Sequence, residues 1–217
     1  SEYSSLLKYS QAPNLIFHPP KGLVLVQIKK ESVRKATLDS AFEMFSKQGY
    51  ANTTLKQIAD GAGITTTNIY RYYSSKLNVL FSIFRPWLNE ILDHMESEME
   101  AIQDPRRRLG LIVHTMWRII PEKDNGFFYN LIQALGALKP DDHYSQDLLL
   151  ELEGRLTEML RTCLPEDRHF LLEDDRLAHM LFMGTDGFAM GYGIAGPSRR
   201  SYAIVEDFCD MLLNVKR

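Results

Sequence analysis

The sequence predicts an all-α chain in two parts, a small N-terminal three-helix head followed by a larger helical domain. Three observations carry that prediction. Apolar residues recur at three- and four-residue spacing from about residue 31 almost to the end, no stretch alternates as a strand would, and glycines and prolines cut the pattern into helix-sized lengths. The 217 residues, 45% hydrophobic, suffice for a small core plus a larger one.

Residues 1–29 precede the pattern. Leu15-Ile16-Phe17 and Leu23-Val24-Leu25-Val26 are apolar clusters split by His18-Pro19-Pro20-Lys21-Gly22, a run that forbids one continuous helix. They are expected to form a flexible leader; the alternative is an arm whose Lys21, Lys29 and Lys30 reach phosphates or the minor groove. The head is expected over residues 30–76. Its first helix, 31–48, turns Val33, Leu38, Ala41, Phe42 and Phe45 inward and is closed by Gly49 and Tyr50.

Two short helices follow. Thr53 is the expected cap of the first, along which Leu55, Ile58, Ala59 and Ala62 form an apolar stripe. Gly61 and Gly63 end it, Gly63 supplying a left-handed reversal and Ile64 an apolar anchor. Thr65 caps the second, with Ile69 and Tyr73 inward and Thr66, Thr67, Asn68, Tyr70, Arg71 and Tyr72 left on the outer and leading surfaces. Three consecutive threonines weaken a merely solvated helix, because β-branched residues lose side-chain freedom there. Two short helices joined by a glycine turn, the second polar at its start, form a helix-turn-helix, in which that start meets base edges in the major groove.

From residue 77 to 217 the pattern reads as one helical domain. Ser75 caps a long helix from Lys76 that buries Leu77, Leu80, Phe81, Phe84, Leu88, Ile91, Leu92 and Met95. Pro86 inside it predicts a kink over 82–86, either fixed or a moving joint. Asp104-Pro105 opens the next helix through Leu109, Ile112, Val113, Met116 and Trp117. Further helices are expected at about 126–138, 142–163, 174–194 and 199–214, with Gly187 and Gly191 on one face for close packing.

Charge separates the parts. Residues 30–85 carry net +4 and residues 86–217 net −9. Positive charge confined to the helix-turn-helix end fits a chain that meets nucleic acid there and turns its acidic remainder away. No apolar run approaches the roughly 20 residues of a membrane span. Cys163 and Cys209 give neither a disulfide framework nor metal spacing, and a reduced cytoplasm is the expected compartment. The histidines lack metal-site spacing, the glycines of 184–196 follow no strand, and the carboxylate runs read as solvated faces. No catalytic residue, metal or cofactor is therefore expected. The competing reading is a helical scaffolding module whose hairpin contacts protein instead of DNA.

Over residues 31–81 the chain resembles the TetR family of bacterial transcriptional regulators. The likeness rests on Ala-Phe-Glu-Met-Phe-Ser-Lys-Gln-Gly-Tyr, then Thr-Thr-Leu-Lys-Gln-Ile-Ala-Asp-Gly-Ala-Gly-Ile, then Ile-Tyr-Arg-Tyr-Tyr-Ser-Ser-Lys. The chain departs from the family in having Leu77-Asn78 where an acidic residue often follows the lysine, and Tyr73 where Phe is common. Helix geometry and the matching family positions together put Thr66, Thr67 and Asn68 on base edges and Lys56, Tyr70, Tyr72 and Lys76 on phosphates, with Thr53, Thr65 and Arg71 completing the DNA-facing set.

The resemblance also implies a small-molecule inducer held by the second domain and a repressor released from its operator when the inducer binds. Trp117, Phe127, Phe128, Met183 and Phe188 are the expected apolar lining, with His114, Asn130 and Gln133 as polar anchors. A single head contacts only a half-site, so a homodimer on a near-palindromic DNA operator is expected. Its interface is placed on the last two helices through Leu177, Leu181, Phe188, Tyr202, Val205, Phe208, Leu212 and Leu213.

Overall fold

The computed structural model describes residues 21–123, 126–138, 147–196 and 199–214, and among them every regular element is helical. Helix α1 spans Lys21–Asn52, α2 Leu55–Gly61, α3 Thr66–Tyr70, α4 Lys76–Glu100 and α5 Pro105–His114. Then come α6 (Phe127–Gly136), α7 (Asp147–Arg161), a 3-10 segment over Glu166–Asp175, α8 (Arg176–Ala195) and α9 (Arg199–Leu212).

Two compact units result. The first runs to Trp87 and also takes in Asn130–Leu138; the second holds Leu88–Tyr129 and the chain from residue 147 on. The division differs from the sequence reading, which ended the head at 76 and assigned everything after it to one domain.

In the first unit α1 begins at Lys21, so Lys21, Lys29 and Lys30 lie on a helix rather than in a flexible leader. Residues 1–20 of the expected leader lie outside the described residues. Ala41, Phe45, Ile58, Ala59, Ile69, Tyr73 and Leu80 are buried in the core of this unit. The Ser40 hydroxyl donates to the Ile58 carbonyl at 2.9 Å, and Gly61 leaves the room that this hydroxyl occupies. Gly63 takes the left-handed conformation expected of it, with φ at 67°.

Helix α4 starts as expected, with the Ser75 hydroxyl accepting from the Asn78 amide at 3.0 Å. It continues as one helix through Pro86, which lies on its exposed face. The helix division between units falls one residue later, after Trp87.

In the second unit, Asp104 caps α5 by accepting from the Arg106 amide, and Pro105 occupies the first turn. A π-helical turn, Thr115–Ile119, then leads into Ile120–Glu122. It comes just before Pro121, which has no amide to continue the α-helical ladder. Leu109, Ile112 and Met116 are buried, as are Leu177 and Leu181 of α8. Two ionic ties cross this unit. Arg155 of α7 bonds Asp93 at 2.7 Å and Glu96 at 2.9 Å on α4, and Arg106 of α5 bonds Glu206 and Asp210 on α9.

Close packing falls on a different glycine from those the spacing suggested. Gly187 and Gly191 face open space, whereas a Cβ on Gly184 would run into the Trp117 indole. We expect Gly184→Ala to lower the unfolding free energy by about 1–3 kcal/mol through overpacking, and Gly187→Ala to leave it unchanged or raise it slightly. Denaturant unfolding of the two variants measures the contrast. Burial also pushes the Asp186 carboxyl up to about 6. A carboxyl with a raised folded pKa binds its proton before the unfolded chain does, so its contribution to stability grows as pH falls from above 6 toward 4. Asp186→Asn should flatten that part of the stability profile and stabilise the protein at pH 7.

Candidate nucleic-acid interface

The site is built on the turn where α1 ends. Gly49, at φ 76° and ψ 167°, breaks the helix, and Tyr50 to Asn52 form one more turn before α2. Five polar groups of this short stretch are then satisfied locally or from far away in sequence. The Thr53 hydroxyl donates to the Gly49 carbonyl at 2.8 Å. The Lys76 ammonium donates to the carbonyls of Tyr50 and Thr53, both at 2.6 Å, and sits 4.0 Å from the centroid of the Tyr50 ring. The Tyr50 amide donates to Asn130 Oδ1 at 2.6 Å, and the Ala51 amide to Gln133 Oε1 at 2.8 Å.

Helix α2 starts one residue later than its sequence suggests. Its cap is Thr54, whose hydroxyl accepts from the Gln57 amide at 3.2 Å while Gln57 Oε1 accepts from the Thr54 amide at 2.8 Å. This is a reciprocal capping box. Thr53, the expected cap and DNA contact, is only 1% exposed and its hydroxyl is used within the turn. The signal for Thr54 was present in the sequence, since a capping box pairs Thr with a Gln three positions on.

The second helix keeps its expected cap, Thr65, which accepts from the Asn68 amide at 3.3 Å. Ile69 and Tyr73 are buried as expected, although α3 itself is only five residues long. Thr65 and Thr67 are exposed, Thr66 and Asn68 partly so. Tyr70, at 59% exposure, and Arg71 stand out beside them, and Lys56 is exposed on α2. Tyr72 is half-buried, with the Arg34 guanidinium 5.9 Å from its ring centroid. The candidate face thus gathers hydroxyls, an amide, a phenol and cations around the start of one helix, the chemistry that reads base edges and phosphates.

Lys76 does not belong to that face as a free cation. Its ammonium is committed to two backbone carbonyls, and burial holds its pKa below the ordinary lysine value. Its place in the sequence, at the start of a helix beside the hairpin, suggested a phosphate contact; the unsatisfied carbonyls of the broken turn claim it instead.

The expected ligand residues divide between the two units. Asn130 and Gln133 lie in the first unit and spend their oxygens on the turn amides. Trp117 is buried between Phe188, ring centroids 5.2 Å apart, and Phe208 at 4.6 Å, and its indole N–H donates to the Leu181 carbonyl. Phe128 is buried, and Met183 is 47% exposed. The Phe127 side chain lies outside the described residues. His114 is half-buried beside Tyr202, with its pKa lowered by burial and by Arg118. Within the second unit an open groove of about 560 Å³ lies instead among α4, α5 and α7, floored by Met99 and Met159 and edged by Arg108 and Glu100. No group of histidine, cysteine and carboxylate side chains able to hold a metal occurs among the described residues, and none of their helices is long and apolar enough to cross a membrane.

We expect Thr54→Ala to cost about 1 kcal/mol by removing the cap. Lys76→Met should cost more, because it removes the ammonium from the Thr53 carbonyl and leaves the Tyr50 carbonyl only the Thr53 amide at 3.2 Å, while keeping the aliphatic contact. Chemical denaturation of the two variants tests both.

Residues 38–83 match the family model described as bacterial regulatory proteins, tetR family. The chain is 24% identical over 152 residues to the fatty acid metabolism regulator protein of Bacillus subtilis, covering 68% of this chain and 76% of that one. Its fold is shared with the fatty acid degradation regulator FadR of Bacillus halodurans, at a TM-score of 0.57 and 21% identity over 84% of this chain and 99% of that one. It is also shared with FadR of Bacillus subtilis solved in complex with stearoyl-CoA, at a TM-score of 0.51 and 19% identity over 84% and 99%. The capped hairpin, its exposed polar leading edge and the match across it agree: residues 38–83 form a tetR-type DNA-binding head, and the chain around it shares the fold of TetR-family regulators.

Proposed function

We propose that the protein is a ligand-responsive repressor that binds a near-palindromic operator as a homodimer. The observation that carries the DNA half is the exposed start of α3: Thr65, Thr66, Thr67 and Asn68 present side-chain donors and acceptors from a capped helix end, with Tyr70, Arg71 and Lys56 alongside. In this reading Thr66, Thr67 and Asn68 meet base edges, while Lys56, Tyr70 and Tyr72 meet phosphates. Asn68→Ala should change the preferred base at one position of each half-site, at about 1–3 kcal/mol if the contact is bidentate. Lys56→Ala should weaken all duplexes alike and reduce the salt slope by about one unit. Unchanged base preference after substitution of all three leading residues would remove α3 from the reading role.

What supports a dimer is the apolar stripe left open on α8. Leu177, Leu181, Val205 and Leu212, expected at the interface, are buried inside the chain itself. An exposed apolar stripe runs along α8 instead, formed by Met180, Met183, Met190 and Ile194, the last 83% exposed. These α8 positions recur at three- and four-residue spacing, and Gly187 and Gly191 among them leave open space that a second helix can approach. Sedimentation should show a dimer at micromolar concentration that Met183→Asp shifts toward monomer.

The inducer half is supported by likeness to the fatty-acid regulators, one of which was solved with stearoyl-CoA. An inducer must bind the DNA-incompetent arrangement more tightly than the competent one. Release of bound operator by long-chain acyl-CoA, tested first with stearoyl-CoA, supports that ligand class; operator binding indifferent to it removes the class.

A further inference from the structure

We infer that Asn130 and Gln133 of α6 are positioning residues of the DNA-reading head, completing it with a fourth helix that follows α3 by some sixty residues. The inference rests on the DNA-reading proposal and concerns what holds the reading helix in place.

The need arises at Gly49. A left-handed glycine interrupts the hydrogen-bond ladder of α1, so the amides of Tyr50 and Ala51 must find acceptors outside it. They find two side-chain oxygens on successive turns of α6, three residues apart and therefore on one face. Asn130 is 3% exposed, and the Tyr50 ring packs 5.5 Å from Phe45 in the same core. Gln133 lies so close over Gly49 that a Cβ there would stand 3.0 Å from its oxygen. The segment these bonds hold leads into the Thr54 cap three residues on, and so fixes where α2 starts; α2 in turn packs on α1 through Ser40 and on α3 through the Gly63 turn.

The bonds of the two residues go to the backbone of Tyr50 and Ala51, which are not in the face assigned to DNA. Their effect on binding must therefore come through the fraction of molecules whose head is correctly placed, which multiplies the apparent affinity for every duplex equally. A phosphate-contacting residue changes the salt slope, and a base-contacting residue changes sequence preference. A positioning residue changes neither.

The test uses the full-length protein with a duplex selected by the wild type. Gln133→Ala and Asn130→Ala should each lower affinity about tenfold for selected and unrelated duplexes alike, with unchanged salt slope and base preference. Amide exchange at Tyr50 and Ala51 should accelerate. Gln133→Glu, which keeps an accepting oxygen, should restore affinity for the selected duplex. Gln133 is half-buried and is the variant to rely on if Asn130→Ala fails to fold. Wild-type affinity in folded Gln133→Ala with accelerated Ala51 exchange, or a Gln133→Glu variant as weak as Gln133→Ala, overturns the inference. Absence of duplex binding by the wild type would instead overturn the DNA-reading proposal.

Discussion

A broken helix leaves peptide groups without their ladder partners, and in this protein one such break lies at Gly49. Leaving even one buried amide or carbonyl without a partner costs on the order of 1–3 kcal/mol, a sizeable part of the stability of a small domain. Here the amides of Tyr50 and Ala51 and the carbonyls of Gly49, Tyr50 and Thr53 are all answered, by Asn130, Gln133, Thr53 and Lys76. That set of bonds explains three otherwise separate facts: why Thr53 is buried, why Lys76 is not a free cation, and why Asn130–Leu138 belongs to the first unit. The placement of the reading helix depends on it.

Local features were legible in the residues. The glycine reversal at Gly63, the caps at Ser75, Thr65 and Asp104, and most of the buried stripe of α4 follow from neighbours within four positions; on α1 only Ala41 and Phe45 of the expected stripe are buried, with Thr37 and Ser40 beside them. What the residues did not disclose was long-range. Asn130 and Gln133 stand on an aromatic-rich helix and suit a ligand anchor as well as a backbone acceptor; only their distance to Tyr50 and Ala51 decides. Gly184 looks no different in sequence from Gly187 and Gly191, yet it alone of the three lies under the Trp117 indole. Thr53 and Thr54 are chemically equivalent caps, and the reciprocal bond from Gln57 selects between them.

The division of charge and of apolar surface gives each part of the chain its own role. Residues 30–85 carry net +4, suited to phosphate, and the rest of the chain after them carries net −9. The exposed methionines and Ile194 of α8 are apolar surface of a different kind, since isolated exposed side chains are common but a stripe at helical spacing on one helix is not. In the proposed dimer that stripe is covered, and the two heads are set by it at a fixed separation on DNA.

The central claim is that α3 reads DNA in pairs. It is tested most directly by selecting duplexes from a random pool with the wild-type protein and repeating the selection with Asn68→Ala. The account predicts a near-palindrome whose half-site centres lie one helical turn apart or a multiple of it, about 34–36 Å per turn, and a change at symmetry-related positions of both half-sites in the variant. An unenriched pool, or an enriched site indifferent to substitution at Asn68, Thr66 and Thr67, would contradict it.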